Sequence, residues 1–159
     1  MQHPNVKATP LPDTATLHSR VSPGDFMDCY CVDANLTAPA AAQIIVEFPG
    51  WAKGLLALRN LVTRPIGLKN EGPAGTRKIG IFPVESETDT QVIAGFNDRH
   101  LNFRVCVLAE HGKVYLATWV HPHNIGGRLY LAAIMPFHIA ISRNALVRVA
   151  RQPSQPVPQ

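Results

Sequence analysis

Histidine and cysteine carry most of the reactive chemistry in this chain. His121-Pro122-His123 sets two imidazoles two residues apart, and His138 follows further along. Imidazole titrates near neutrality, so His121 or His138 suits a general acid or base. A zinc site needs three or four ligands, usually in tight pairs. Cys29 and Cys31 flank Tyr30 and share one face of a strand, but no spacing brings them to the histidines. The expected metal complement is none, and hydrogen-bonded structural histidines are the plainer reading.

Two polar stretches come next. Asn97-Asp98-Arg99-His100 is dense in reactive groups, yet Asn-Asp is also turn chemistry. Arg104 stands just beyond it. A buried guanidinium needs a partner, either Asp98 or Glu85 or the carboxylate of a ligand. Glu85-Ser86-Glu87-Thr88-Asp89 is acidic but offers no third ligand for a cation, so a solvated turn is expected.

These residues must be positioned by strands. Phe26 to Val32 alternates with Phe26, Asp28, Tyr30 and Val32 on one face. Further strands are expected over 78–86, 91–96, 101–109 and 114–121, joined by short polar turns as antiparallel hairpins in one meander. On the last of these, Tyr115, Trp119 and His121 share one face, and Val114, Leu116, Thr118 and Val120 the other. Phe103 and Arg104 fall on opposite faces of the strand before it. Aromatic residues with polar tips suit a ligand pocket, with ordinary core packing as the alternative.

Helices complete the set. Thr37 with Pro39 marks a helix start, and Pro49-Gly50 a stop. A second helix is expected from Trp51 through Leu55, Leu58 and Val62. The last element begins after Asn124 and runs to about Arg151, roughly 40 Å at 1.5 Å per residue. Its stripe is Leu129, Ala133, Phe137, Ile141 and Leu146, and Pro136 is expected to kink it.

A length of 159 residues suits one domain with a sizeable core. Only 16% of residues are charged, which argues against extensive disorder. The net charge of +4 is spread along the chain rather than massed, so no nucleic-acid partner is expected. Three cysteines without a framework spacing read as reduced thiols of a cytoplasmic protein. The apolar run 129–141 is shorter than a bilayer requires, so no membrane span is expected. Gly72 to Gly75 does not follow a strand as a phosphate loop does, and no cofactor is implied.

The order strand, two helices, antiparallel strands, long helix resembles the helix-grip superfamily of pollen allergens, START domains and polyketide cyclases. More closely, the chain resembles the bacterial family called domain of unknown function 2867. The likeness is carried by Phe48-Pro49-Gly50-Trp51, by Ile79-Gly80-Ile81-Phe82-Pro83-Val84 and by Gly95-Phe96-Asn97-Asp98-Arg99-His100-Leu101-Asn102-Phe103-Arg104. Gly127-Arg128-Leu129-Tyr130 and Met135-Pro136-Phe137-His138 complete it. The resemblance implies an α+β fold, a curved antiparallel sheet around a long C-terminal helix with two short helices after the first strand. It implies no established activity. Five visible strands fall short of the full seven. A flexible extension over 1–17, a helix-grip domain over 18–151 and a disordered tail over 152–159 are the expected divisions.

A cavity between helix and sheet follows from that fold. The leading expectation is a binding domain for a hydrophobic or amphipathic small molecule, lined by Phe103, Arg104, Tyr115, Trp119, His121, Tyr130 and Phe137. The stretch from Tyr130 to Phe137 is expected to face it. The alternatives are an enzyme of the cyclase, dehydratase or isomerase type in the same cavity, and an interaction module or homodimer.

Overall fold

The computed structural model describes residues 4–54 and 77–154. Its strands, in chain order, are β1 (Lys7–Ala8), β2 (Phe26–Asp33), β3 (Lys78–Ile79), β4 (Phe82–Glu87), β5 (Gln91–Asn97), β6 (Leu101–Glu110) and β7 (Lys113–Pro122). Helix α1 spans Ala38–Val46 and helix α2 spans Ile125–Ala150. All seven strands form one antiparallel sheet in the order β1-β2-β7-β6-β5-β4-β3. The fold is α+β, a curved sheet gripping a long C-terminal helix.

Two strands escaped the period-two reading. β1 is only two residues long, and the run 78–86 breaks into β3 and β4 at Gly80. Gly80 has φ +59, and a Cβ there would sit 2.9 Å from the Val46 side chain. Only glycine takes that turn against α1 without strain. The single meander also needs correction. Strands β3 to β7 do follow one another, but β2 pairs with β7, in register from Phe26↔Val120 to Asp33↔Lys113. The segment containing α1 carries the chain from β2 to the opposite edge of the sheet.

Helix starts follow the capping residues. Thr37 accepts a hydrogen bond from Ala40 N, and Asn124 one from Gly127 N at 3.0 Å. These satisfy amides that have no partner in a first helical turn. Residues 50–54 are helical, as expected from Trp51 onward. Leu55, Leu58, Val62 and the loop 70–75 lie outside the described residues.

The segment 4–20 lies against the sheet. β1 pairs with β2, and Leu11, Ala15 and Leu17 bury against Cys29, Ile93, Cys106, Leu108, Ala117 and Trp119 on the outer face of the sheet. Its prolines hold it extended while its apolar residues cover that face. The sheet therefore has two apolar faces, one under this segment and one under α1 and α2.

Helix α2 departs most from expectation. Its buried residues are Gly127, Ser142, Ala145, Leu146 and Val149, all but Gly127 in its C-terminal half. Leu129, Ala133 and Phe137, three of the five residues in the expected stripe, are exposed. Apart from Arg128 the first half of the helix is apolar on all sides, so periodicity does not pick the packed face. Pro136 sits inside a continuous 26-residue helix. An 18-residue stretch of it has mean hydropathy 1.3. By length and composition it is long and apolar enough to cross a membrane. Its last turns are nevertheless packed on α1 and the sheet. Arg148 fastens that end, donating to Ile44 O, Ile45 O and Glu47 O at the C-terminus of α1.

Candidate functional site

A cavity of about 110 Å³ lies between α1, α2 and the inner face of the sheet. Its floor is apolar, built by Val92 and Ala94 of β5, Val105 and Val107 of β6, and Leu116 of β7. Strand alternation puts these side chains on one face. α1 supplies Ala42, Ile45 and Val46, with Phe48, Ile79 and Phe82 alongside.

Three polar side chains, Thr118, His138 and Ser142, line this cavity, and Asp28 lies behind them. Asp28 and Thr118 are direct partners in the β2–β7 register. His138 and Ser142 lie one turn apart on α2, and both line the cavity with Thr118. His138 Nε2 stands 3.0 Å from Asp28 Oδ2, which joins the two pairs across the helix–sheet gap. Phe26 holds the ring edge-on, with centroids 6.3 Å apart.

That set is incompletely paired. Asp28 Oδ1 is buried without a hydrogen-bond partner among the described residues. The Thr118 and Ser142 hydroxyls, on residues that are themselves buried, make no hydrogen bond among the described residues. A buried polar atom without a partner costs about 1–3 kcal/mol, so Asp28 Oδ1 beside these hydroxyls marks a place for a polar ligand group. Next to it, burial and then the negative charge of Asp28 push the Tyr30 hydroxyl above its ordinary pKa. The Arg143 guanidinium lies over the Tyr30 ring, 5.1 Å from its centroid.

A second Asp–His pair occupies the opposite face. The Asp25 side chain, only 2% exposed, accepts from His121 Nδ1 at 2.5 Å, Trp119 Nε1 at 2.9 Å and Ser22 N at 2.8 Å. Burial alone would raise its pKa. The hydrogen bonds from His121, Ser22 and Trp119 outweigh burial and hold it below the usual carboxylate value. His121 stacks on Trp119 and does not line the cavity between α1, α2 and the sheet. This pair ties the chain before β2 to β7.

The cavity lining contains none of the seven residues expected from the sequence. Phe103 is on the inner face but packs edge-on against Phe82 and Phe96, at 5.9 and 4.9 Å. Arg104, Tyr115, Trp119 and His121 point to the outer face. There Trp119 and Tyr115 pack with the N-terminal segment, and Arg104 is held by Glu85, Asn102 Oδ1 and Phe103 O. Arg104 therefore forms the expected ion pair with Glu85. Tyr130 is partly buried, and Phe137 is half exposed.

Asp28, Thr118 and Ser142 were missed. Alternation sorts the strand residues onto their faces, but aromatic content points to the face away from this cavity. An aspartate on the otherwise apolar face of Phe26, Tyr30 and Val32 was the available signal. Among the described residues, no group of three or more His, Cys, Asp or Glu side chains is placed to hold a metal.

No curated protein and no solved structure matches the chain significantly. A family model does match, over residues 21–145, which takes in β2, α1, the meander and most of α2. The chain belongs to the family described as protein of unknown function, DUF2867.

Proposed function

We propose that the chain is a binding domain for a hydrophobic or amphipathic small molecule, a member of the wider helix-grip superfamily acting in the cytoplasm. One observation carries the reading: an apolar cavity whose wall also carries two hydroxyls and an imidazole. A void of about 150 Å³ lined by apolar side chains binds benzene. A cavity of 110 Å³ suits a small ring or a short branched chain. The polar group of such a ligand would meet Thr118, Ser142 and His138. The buried free thiols accord with a reducing compartment.

Methyl-resolved NMR tests this reading. Small cyclic ketones and alcohols should shift the methyl signals of Val105, Val107, Leu116 and Ala94 at millimolar concentration. Unmoved methyls would count against a binding cavity.

A second reading, an enzyme of the cyclase, dehydratase or isomerase type, is favoured by the titratable His138 side chain in the cavity wall. A homodimer reading rests on the exposed Ile125, Leu129 and Phe137 of α2. Light scattering tests it: twice the chain mass supports it, and a monomer at high concentration removes it.

A further inference from the structure

We propose that the cavity is a proton-transfer site for a small enolisable ketone, with His138 as general base and Thr118 and Ser142 as donors to the carbonyl oxygen. The proposal rests on the ligand-binding reading and deepens it.

Three features of the geometry lead there. The hydrogen bond from His138 Nε2 to Asp28 Oδ2 fixes the tautomer, so the lone pair of the neutral ring is on Nδ1. Nδ1 makes no hydrogen bond among the described residues, and the ring lines the cavity. Two unpaired hydroxyls, one from β7 and one from α2, line the same cavity and can meet a developing oxyanion. The rest of the wall is apolar, with Phe48 and Phe82 beside the aliphatic side chains, and a low local dielectric strengthens each of these interactions. A base, donors and an apolar wall are the parts that proton abstraction beside a carbonyl requires. The outer-face pair Asp25–His121 does not line this cavity.

The step balances without a co-reactant. His138 Nδ1 takes a proton from the carbon next to the carbonyl. The C–H electron pair becomes the C=C bond of an enolate, and the C=O π pair moves onto oxygen, where Thr118 and Ser142 donate. The imidazolium then returns a proton to carbon and the carbonyl re-forms. Return to the same carbon gives exchange, and return to a conjugated carbon shifts a double bond. The His138 side chain is 20% exposed, so its proton can exchange with solvent between the two halves. Asp28 is a positioning residue: it holds the ring without touching the ketone.

Cyclopentanone in heavy water is the test, with deuterium uptake read by mass spectrometry and binding by saturation-transfer NMR. Wild type should exchange the ketone about 10²-fold faster than buffer, the scale of general-base catalysis. His138→Gln should bind and not exchange. Asp28→Asn should lower kcat more than tenfold with little change in KM and alter the pH profile, which a purely structural role would not do. Thr118→Val with Ser142→Ala should lower kcat as well. Bound ketone with exchange at the buffer rate would overturn the catalytic proposal and leave the binding reading intact. Absent saturation transfer would overturn both. Exchange that persists in His138→Gln would overturn the assignment of the base. Where that variant does not fold, the wild-type pH profile decides: activity lost as imidazole protonates supports the proposal, and a flat profile overturns it.

Discussion

Asp28 on β2 and His138 on α2 meet at 3.0 Å across the gap between sheet and helix, and the second oxygen of that carboxylate is buried without a partner. A pair kept for stability alone would saturate its acceptors. The pair should therefore be dispensable to the fold. Either residue changed alone to leucine leaves the other buried and unmatched, at an expected cost of about 2–4 kcal/mol. Both changed together should come within about 1 kcal/mol of wild type, because aliphatic side chains can replace a buried pair. Urea denaturation of the four proteins measures the cycle. A double variant as weak as the sum of the singles would show that the two side chains stabilise the fold independently rather than as a pair.

The same relationship marks the limit of what the sequence discloses. Alternation placed Asp28 with Phe26 and Tyr30, and Leu116 with Thr118, on shared faces, and the structure keeps both groupings. It could not decide which face meets α2. That choice is set by the segment before β2, whose Leu11, Ala15 and Leu17 cover the face of Trp119. A proline-rich stretch gives no periodic sign of such packing. The caps of both long helices were legible because Thr37 and Asn124 act locally. The register joining β2 to β7 depends on contacts remote in sequence and was not.

Filling the cavity should remove binding without unfolding the domain. Ala94 on β5 is buried and lines the floor. Ala94→Leu puts three more carbons into existing space, so stability should change by less than about 1.5 kcal/mol, in contrast with overpacking a filled core. Affinity for cyclopentanone should fall at least tenfold. Thermal melts and NMR titration check both halves, and undiminished binding would place the ligand elsewhere.

Acid should act on the outer face through Asp25. Its folded pKa is lowered, so its contribution is complete above the unfolded value near 3.9 and fades as pH falls through the folded value. Glu85 behaves alike: burial raises its pKa, and hydrogen bonds from Arg104 and Arg20 more than reverse this. Wild type should lose stability progressively below about pH 4. Asp25→Asn should be less stable at neutral pH and show a shallower slope in that acid range. Urea midpoints measured from pH 3 to pH 6 give the comparison. An unchanged slope would remove Asp25 from the acid response.

The thiols should be inert in the native state. Burial pushes both Cys29 and Cys106 up to about 12, and all three cysteines are buried. The thiolate is the reactive form and is scarce at such values. An aromatic disulfide reagent at pH 8 should label Cys29 and Cys106 only after denaturant is added. Rapid labelling of either in the folded protein would mean that the N-terminal cover over the outer face opens readily.

Helix α2 should answer to substitution in two different ways along its length. Leu146 is fully buried among α1 and the inner sheet face, whereas Phe137 is 50% exposed. Leu146→Ala removes buried carbons and leaves a void, a loss of about 3–5 kcal/mol. Phe137→Ala removes a larger side chain, yet most of its surface faces outward, so the cost should stay below about 1 kcal/mol. Arg148 strengthens the contrast, since its guanidinium binds the terminal carbonyls of α1 only at the packed end. Hydrogen exchange should follow the same gradient, with slow amides from Ser142 onward and faster ones before His138. A monomeric protein with equal protection along the whole helix, or a costly Phe137→Ala, would require a cover over the first half of α2 that the described residues do not provide.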